Sequence, residues 1–310
     1  MPATPPAATG AADRPVAVYG ALAANLAIAG TKFGAAAVTG SSAMASEGVH
    51  SLVDTVNQVL LLVGLRRAAR PADAGHPFGH ASELYVWGLL VAVALFGIGG
   101  GLAIYEGVAH FRHPEPLGDP TWNYAVLAVA FALDGSSWLV ARRELRADHP
   151  GVSPWQAFRR SPDPAVYTVL AEDTADLVGI VLAAVGIAVG HATGSPVWYG
   201  LASVAIGVLL AGVSLSLVRT GRSLLTGRSA APETVASVRQ IVEADPDVVR
   251  ARPPRTMQLG PGAVLVAVLV EFRDGATAGD VARASVRIER AVRAAHPDVT
   301  EVFTEAAPPD

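Results

Sequence analysis

The sequence predicts an α-helical membrane protein: six transmembrane helices followed by a C-terminal cytoplasmic α+β domain of αββαβ, ferredoxin-like order. Three observations predict it. Of 310 residues, 51% are hydrophobic and only 16% are charged, where soluble domains carry about a quarter. The charges are uneven, with long stretches between Val16 and Val218 holding few and most Arg clustered between those stretches, as in a chain that crosses a hydrocarbon core repeatedly. Beyond Arg228 the pattern changes to amphipathic helices and a short Val-rich run, the composition of a small domain in water. The absence of cysteine rules out disulfides and thiolate metal sites. A net charge of -4 without a basic stripe gives no footprint for nucleic acid.

The opening MPATPPAATGAADRP is rich in Pro and Ala and has no apolar core, so residues 1–15 read as a disordered tail and not as a signal peptide. Candidate spans cover roughly 16–38, 42–66, 82–110, 121–143, 164–190 and 196–219. At about 1.5 Å per residue each is long enough for a core of about 30 Å. Turn signals separate them: TGSS, RPADAGHPFG, HPEPLGDP, RSPDPAV and HATGSP. Arg66, Arg67 and Arg70 follow the second span, Arg142, Arg143, Arg146, Arg159 and Arg160 the fourth, and Arg219, Arg222 and Arg228 the sixth. The other connections hold only Arg112. That bias places both termini in the cytoplasm, and a prokaryotic plasma (inner) membrane is the expected location. The membrane domain then covers 16–220 and the cytoplasmic domain 231–305.

In the second domain Pro232 opens an amphipathic helix. AVLVAVLVEF (263–272) is too short to cross a membrane and fits a buried strand beside a shorter one near 255–259. A second helix follows, with Ala282, Val286 and Ala291 among its apolar positions, and VTEVFTE forms the last strand.

An ionisable group at mid-membrane costs about 2.5–3.5 kcal/mol or more, so each one marks a site to explain. EGVHSLVDTVNQ places Glu47, His50, Asp54 and Asn57 in the second span. His50 and Asp54, at i and i+4, share a helix face and can both ligate one divalent cation. VLAEDTADLVG in the fifth span repeats the spacing with Glu172 and Asp176 and adds Asp173. Oxygen ligands with one imidazole suit Zn²⁺ or a harder ion such as Mn²⁺ or Fe²⁺. A hydrogen-bonded structural His–Asp pair is the competing reading of the first motif. Asp173 has a second reading as a headgroup-level carboxylate near a helix N-terminus. Asp134, in FALDGSSW of the fourth span, reads either as a serine- or water-bonded structural acid or as a proton or metal group. In the loop DAGHPFGH, Asp73, His76 and His80 either ligate Zn²⁺ or cap the next helix.

GSSAMASEGVHSLVDTVNQVLLLVGLRRA, DAGHPFGHASELYVWGL and VYTVLAEDTADLVGIVLAAVGI together resemble the cation diffusion facilitator family of divalent metal transporters, over roughly 16–305. The Glu-Asp-Thr-Ala segment, HPEPL and Asp134 are similar to its zinc transporter 9-like branch. The resemblance implies a homodimer in membrane lipid that exports a divalent metal, Zn²⁺ foremost with Mn²⁺, Fe²⁺ or Co²⁺ as other cargoes, in exchange for protons. It implies that His50 and Asp54 are one half of the transport site and Glu172 and Asp176 the other. It also implies a second metal site at Asp73, His76 and His80. Glu172 stands where zinc members commonly carry His. The chain lacks a His-Glu-x-x-His motif and a phosphate-binding G-x-x-x-x-G-K-[ST] loop, so an intramembrane metalloprotease and an ATP-driven pump are disfavoured. The expected protein is a secondary transporter and not an enzyme. The rival class is a membrane metal sensor that binds metal without moving it.

Overall fold

The computed structural model describes residues 14–39, 42–113, 120–148, 151 and 163–308, and the side chains of 14–18, 21, 24, 35, 36, 38, 39, 42–50, 148 and 165 lie outside that description. The expected tail falls on 1–15, of which 1–13 are outside the described residues, while helix α1 opens at Arg14. The chain forms two compact units.

The helical unit holds α1 (Arg14–Thr39), α2 (Ser42–Ala68), α3 (Glu83–Arg112), α4 (Thr121–Asp148), α5 (Pro164–Thr193) and α6 (Val197–Leu225). Among the described residues four of these, α3 to α6, are long and apolar enough to cross a membrane. Six spans were expected, and the other two are present as helices of 26 and 27 residues. Polar side chains every turn or so dilute α2, from Glu47 through Gln58 to Arg67. Leu61 of α2, Val91 of α3, Ala141 and Leu145 of α4, and Val166, Val169 and Leu170 of α5 form the buried core. Phe96, Tyr105, Phe131, Val185 and Val208 are exposed on the outside, the placement that lipid tails allow.

α3 is not one uniform helix. Its middle six residues, LFGIGG (Leu95–Gly100), wind as a π-helix between two α-helical halves. Glycines then let α3 and α6 meet backbone to backbone. A Cβ added at Gly107 would lie 2.7 Å from the Gly200 carbonyl oxygen, and one at Gly207 would lie 2.9 Å from that of Gly100. The two pairs are seven residues apart on each helix, so the contact repeats after two turns. The Ser214 hydroxyl of α6 donates to the Ala92 carbonyl just before the π segment.

The second unit comprises 68–83 and the chain from Ser223 onward. Helix α7 (Pro232–Glu243) has Pro232 in its first turn, where a missing N–H costs nothing. β3 (Ala263–Phe272) pairs antiparallel with β1 (Val248–Ala251) and β2 (Arg255–Gly260), which follow one another along one edge. β4 (Val299–Ala306) runs parallel along the other. The order is therefore αβββαβ. The extra strand is β1, four residues long, which β3 draws into the sheet.

Every second residue of β3, Val264, Val266, Val268 and Val270, is buried, the period of a strand covered on one face. They pack with Val238 and Val242 of α7 and with Ile288 and Val292 of α8 (Ala278–Ala295). The inward positions of α8 are Ala284, Ile288 and Val292, whereas Val286, expected inside, is 45% exposed. Ala282 and Ala291 are exposed with it. Thr277 and Asp280 close a reciprocal capping box on α8. Segment 68–83 docks on this sheet: Phe78 meets Phe303 edge to face at 6.4 Å, and Ala81 sits against Gly260 so tightly that no Cβ fits there.

Candidate metal centre

Each unit holds one group of candidate ligands. In the loop, Asp73 Oδ1 accepts the backbone N–H groups of Gly75 and His76, each at 2.8 Å. These bonds, the His76 amide foremost, hold the Asp73 carboxyl below its ordinary range. Gly79 takes a left-handed turn (φ +83°) that returns the chain toward α3. His80 Nδ1 lies 3.1 Å from the Pro71 carbonyl, which fixes that nitrogen as the donor. Nε2 is then the free lone pair, and it faces Asp73 Oδ2 at 3.4 Å. His76 Nδ1 lies 3.4 Å from Asp73 Oδ1. One ligand atom from each residue falls within 4.8 Å of the others, the one such group of three among the described residues. Two imidazoles and a carboxylate so placed are a three-ligand set for Zn²⁺ with an open fourth position.

The second group lies inside the helical unit. Asp54 on α2, Asp134 on α4, and Glu172 and Asp173 on α5 are 5%, 6%, 1% and 4% exposed. Asp176, expected as the partner of Glu172, is half-buried, so Asp173 is the more enclosed of the two. Asp54, Asp134 and Asp173 all act electrostatically on Glu172, and the same groups with Glu172 act on Asp176. Five carboxylates, four of them buried, thus lie near one another on α2, α4 and α5. His50 belongs to α2 one turn before Asp54, and its side chain, like that of Glu47, lies outside the described residues.

Two residues beside these carboxylates have roles that sequence spacing did not reveal. Glu172 Oε1 accepts from Asn57 Nδ2 at 3.0 Å, and Oε2 from Gln58 Nε2 at 3.1 Å. Both amides come from α2, so they clamp the α5 carboxylate across the helix seam. Their own oxygens, Asn57 Oδ1 and Gln58 Oε1, are buried without a hydrogen-bond partner among the described residues, as is Asp173 Oδ2. Buried acceptors left over beside these carboxylates call for a cation or a proton. The adjacency of two amides in an otherwise apolar turn, NQVLLL, was the available signal for Gln58.

His296 is the C-cap of α8, with its N–H on the Val292 carbonyl and its ring on Ser237 Oγ at 2.7 Å.

The family model described as the cation efflux transmembrane domain matches residues 18–226. The human protein named proton-coupled zinc antiporter SLC30A9, mitochondrial, is 37% identical over 243 residues, 78% of this chain and 43% of its own length. The Xenopus laevis protein of the same name is 36% identical over 236 residues, 76% of this chain and 42% of its own. Metal tolerance protein C4 of Arabidopsis thaliana is 30% identical over 258 residues, 83% of this chain and 56% of its own. The chain therefore spans about half or less of the length of these relatives. They also correct the expected location. A prokaryotic plasma membrane was the expectation, whereas the vertebrate proteins matching most of the chain are named mitochondrial. The positive-inside rule orients spans relative to a membrane and does not say which membrane.

Proposed function

Because this chain belongs to the cation efflux family, also called cation diffusion facilitators, we propose that it is a proton-coupled secondary antiporter with Zn²⁺ as its main cargo. Mn²⁺, Fe²⁺ and Co²⁺ are its weaker substrates. The observation that carries this reading is the group of buried carboxylates Asp54, Asp134, Glu172 and Asp173, with Asp176 half-buried beside them. Carboxylates buried this deeply need cations, and a divalent metal and protons compete for the same lone pairs. The names of the SLC30A9 relatives support zinc and proton coupling.

All six helices span the membrane, so both ends of the chain lie on one face. His50, Asp54, Glu172 and Asp176 take the metal, with Asp173 and Asp134 beside them. Metal enters when these groups are deprotonated, and protons displace it after the site reorients. The Asn57 and Gln58 amides leave further lone pairs on each Glu172 oxygen, so the clamp orients that carboxylate without blocking it. Asp73, His76 and His80 hold a second zinc that is regulatory and not transported. The protein works as a homodimer, for which Met257 and Phe303 supply an exposed apolar sheet face.

The test is flux into proteoliposomes of Zn²⁺, Mn²⁺, Fe²⁺ and Co²⁺ under an imposed pH gradient. Zinc should move fastest and should carry protons the other way. Asp54→Ala should abolish flux while the protein still inserts. Wild-type flux from Asp54→Ala would sink the proposed site, and zinc binding without flux would identify a sensor.

A further inference from the structure

Of the 23 Lys and Arg residues, one is a lysine. It is Lys32, near the middle of α1, only 7% exposed. The other 22 are all Arg. The Lys32 Nζ lies 3.0 Å from Ser51 Oγ on α2. Ser51 is three residues before Asp54, and both are buried, so they lie one turn apart on the same face of α2. On α1, Asn25, Ile28 and Ala29 are buried with Lys32, which places the ammonium on the face turned into the bundle. α1 packs against α4 and α5, the helices that carry Asp134, Glu172, Asp173 and Asp176. Among the described residues Lys32 is the buried base of the helical unit.

We propose that Lys32 is a tethered counter-cation of the carboxylate cluster, a positioning residue that sets how tightly the cargo is held. This rests on the transport reading above. A divalent ion entering the cluster meets a fixed positive charge about one helical turn from Asp54. Like charges at that range repel through a medium of low dielectric. The ammonium therefore weakens metal binding, and by the same amount it speeds release. Ser51 holds it at that distance. A lysine suits this task because its charge is compact and its stem flexible, whereas the planar guanidinium of Arg seeks paired carboxylate contacts.

The experiment measures zinc affinity and flux together on the full-length protein. Lys32→Met keeps length and removes charge. It should bind zinc at least tenfold more tightly and turn over at least tenfold more slowly, with KM and Vmax falling together. Lys32→Arg should keep an affinity within a few-fold of wild type. A structural lysine would give the opposite pattern, with weaker binding or lost protein. Should Lys32→Met not be recovered, wild-type protein grown on ¹³C-lysine supplies a second measurement, since it gives a single lysine signal. That signal should shift with zinc over the concentration range of binding, and it should stay still in Asp54→Ala. A Lys32→Met protein with unchanged or weaker zinc affinity, or a lysine signal indifferent to zinc, overturns the proposal. A wild-type protein that binds no zinc defeats the transport reading itself, which is a separate result.

Discussion

Replacing Gly107 by Ala should loosen the α3–α6 pair, and replacing Gly101, six residues away in the same helix, should not. A Cβ at Gly107 would fall 2.6 Å from Val204 Cγ2, 2.7 Å from the Gly200 oxygen and 2.9 Å from the Val204 nitrogen. Two of those three atoms belong to the backbone of α6 and cannot rotate aside. To restore ordinary contact the helices must part by about half an ångström, which also weakens dispersion along the seam. Overpacking of this kind costs about 1–3 kcal/mol, against a gain of up to about 1 kcal/mol from replacing a helical Gly. The net loss is therefore about 0–3 kcal/mol, or up to several degrees of midpoint at roughly 2–4 °C per kcal/mol. Gly101 has nothing within 4 Å of the same added atom, so only the gain applies. Tryptophan fluorescence during thermal unfolding in detergent reads both variants, with Trp198 two residues from Gly200. Because Gly107 and Gly200 share one contact, the double variant should lose less than the two single losses added. A Gly107→Ala midpoint that rises as far as that of Gly101→Ala would refute the close-packed seam.

Gln58→Leu strips one amide from Glu172 Oε2. A hydrogen bond to a charged group is worth about 1.5–3 kcal/mol, so zinc flux per inserted protein should drop tenfold or more, and an unchanged flux would show the clamp to be incidental. His80→Ala should lower the zinc bound per chain at equilibrium dialysis by one while proton-driven flux continues; an unaltered stoichiometry would remove the loop as a site. In the second domain Asp280 is held at about 2, chiefly by the Thr277 side chain, and Asp245 and Asp247 are lowered by Arg287 and Arg273. A depressed folded value means stabilisation that is complete above the unfolded carboxylate range and lost as pH falls toward about 2. Amide protection of α8 should therefore decline between about pH 4 and about pH 2, less steeply in Asp280→Asn, and equal acid sensitivity in both proteins would contradict the capping box.

The helices were legible in the sequence because runs of apolar residues decide them locally, and each observed helix overlaps the expected one to within a few residues. β1 was not legible. VVRA has no pattern of its own and becomes a strand only through Phe272, Glu271 and Val270 of β3. The inward face of α8 was misjudged because Ala282, Val286 and Ala291 look as apolar as Ala284, and the side that Ile288 and Val292 share is chosen by the sheet. In the membrane, i and i+4 spacing pointed to Asp54, Glu172 and Asp176, whereas the deeper burial of Asp173 depends on which neighbouring helix covers each side, and spacing within one helix does not carry that. Lys32 and Gln58 find their partners on other helices, Ser51 and Glu172, and a search for pairs within one helix passes over both.

The docking of residues 68–83 on the second unit bears on how the chain is made. The segment is separated from the rest of its unit by all of 84–222. At about 5–20 residues per second a ribosome needs roughly 7–30 s to cross that gap. Through that interval Phe78, Ala81 and the Asp73–His76–His80 group have no sheet to rest on. The partners of Phe78 and Ala81 emerge after it, Gly260 first and then Phe303 of β4. Loss of β4 would thus leave a loop two hundred residues upstream without its seat.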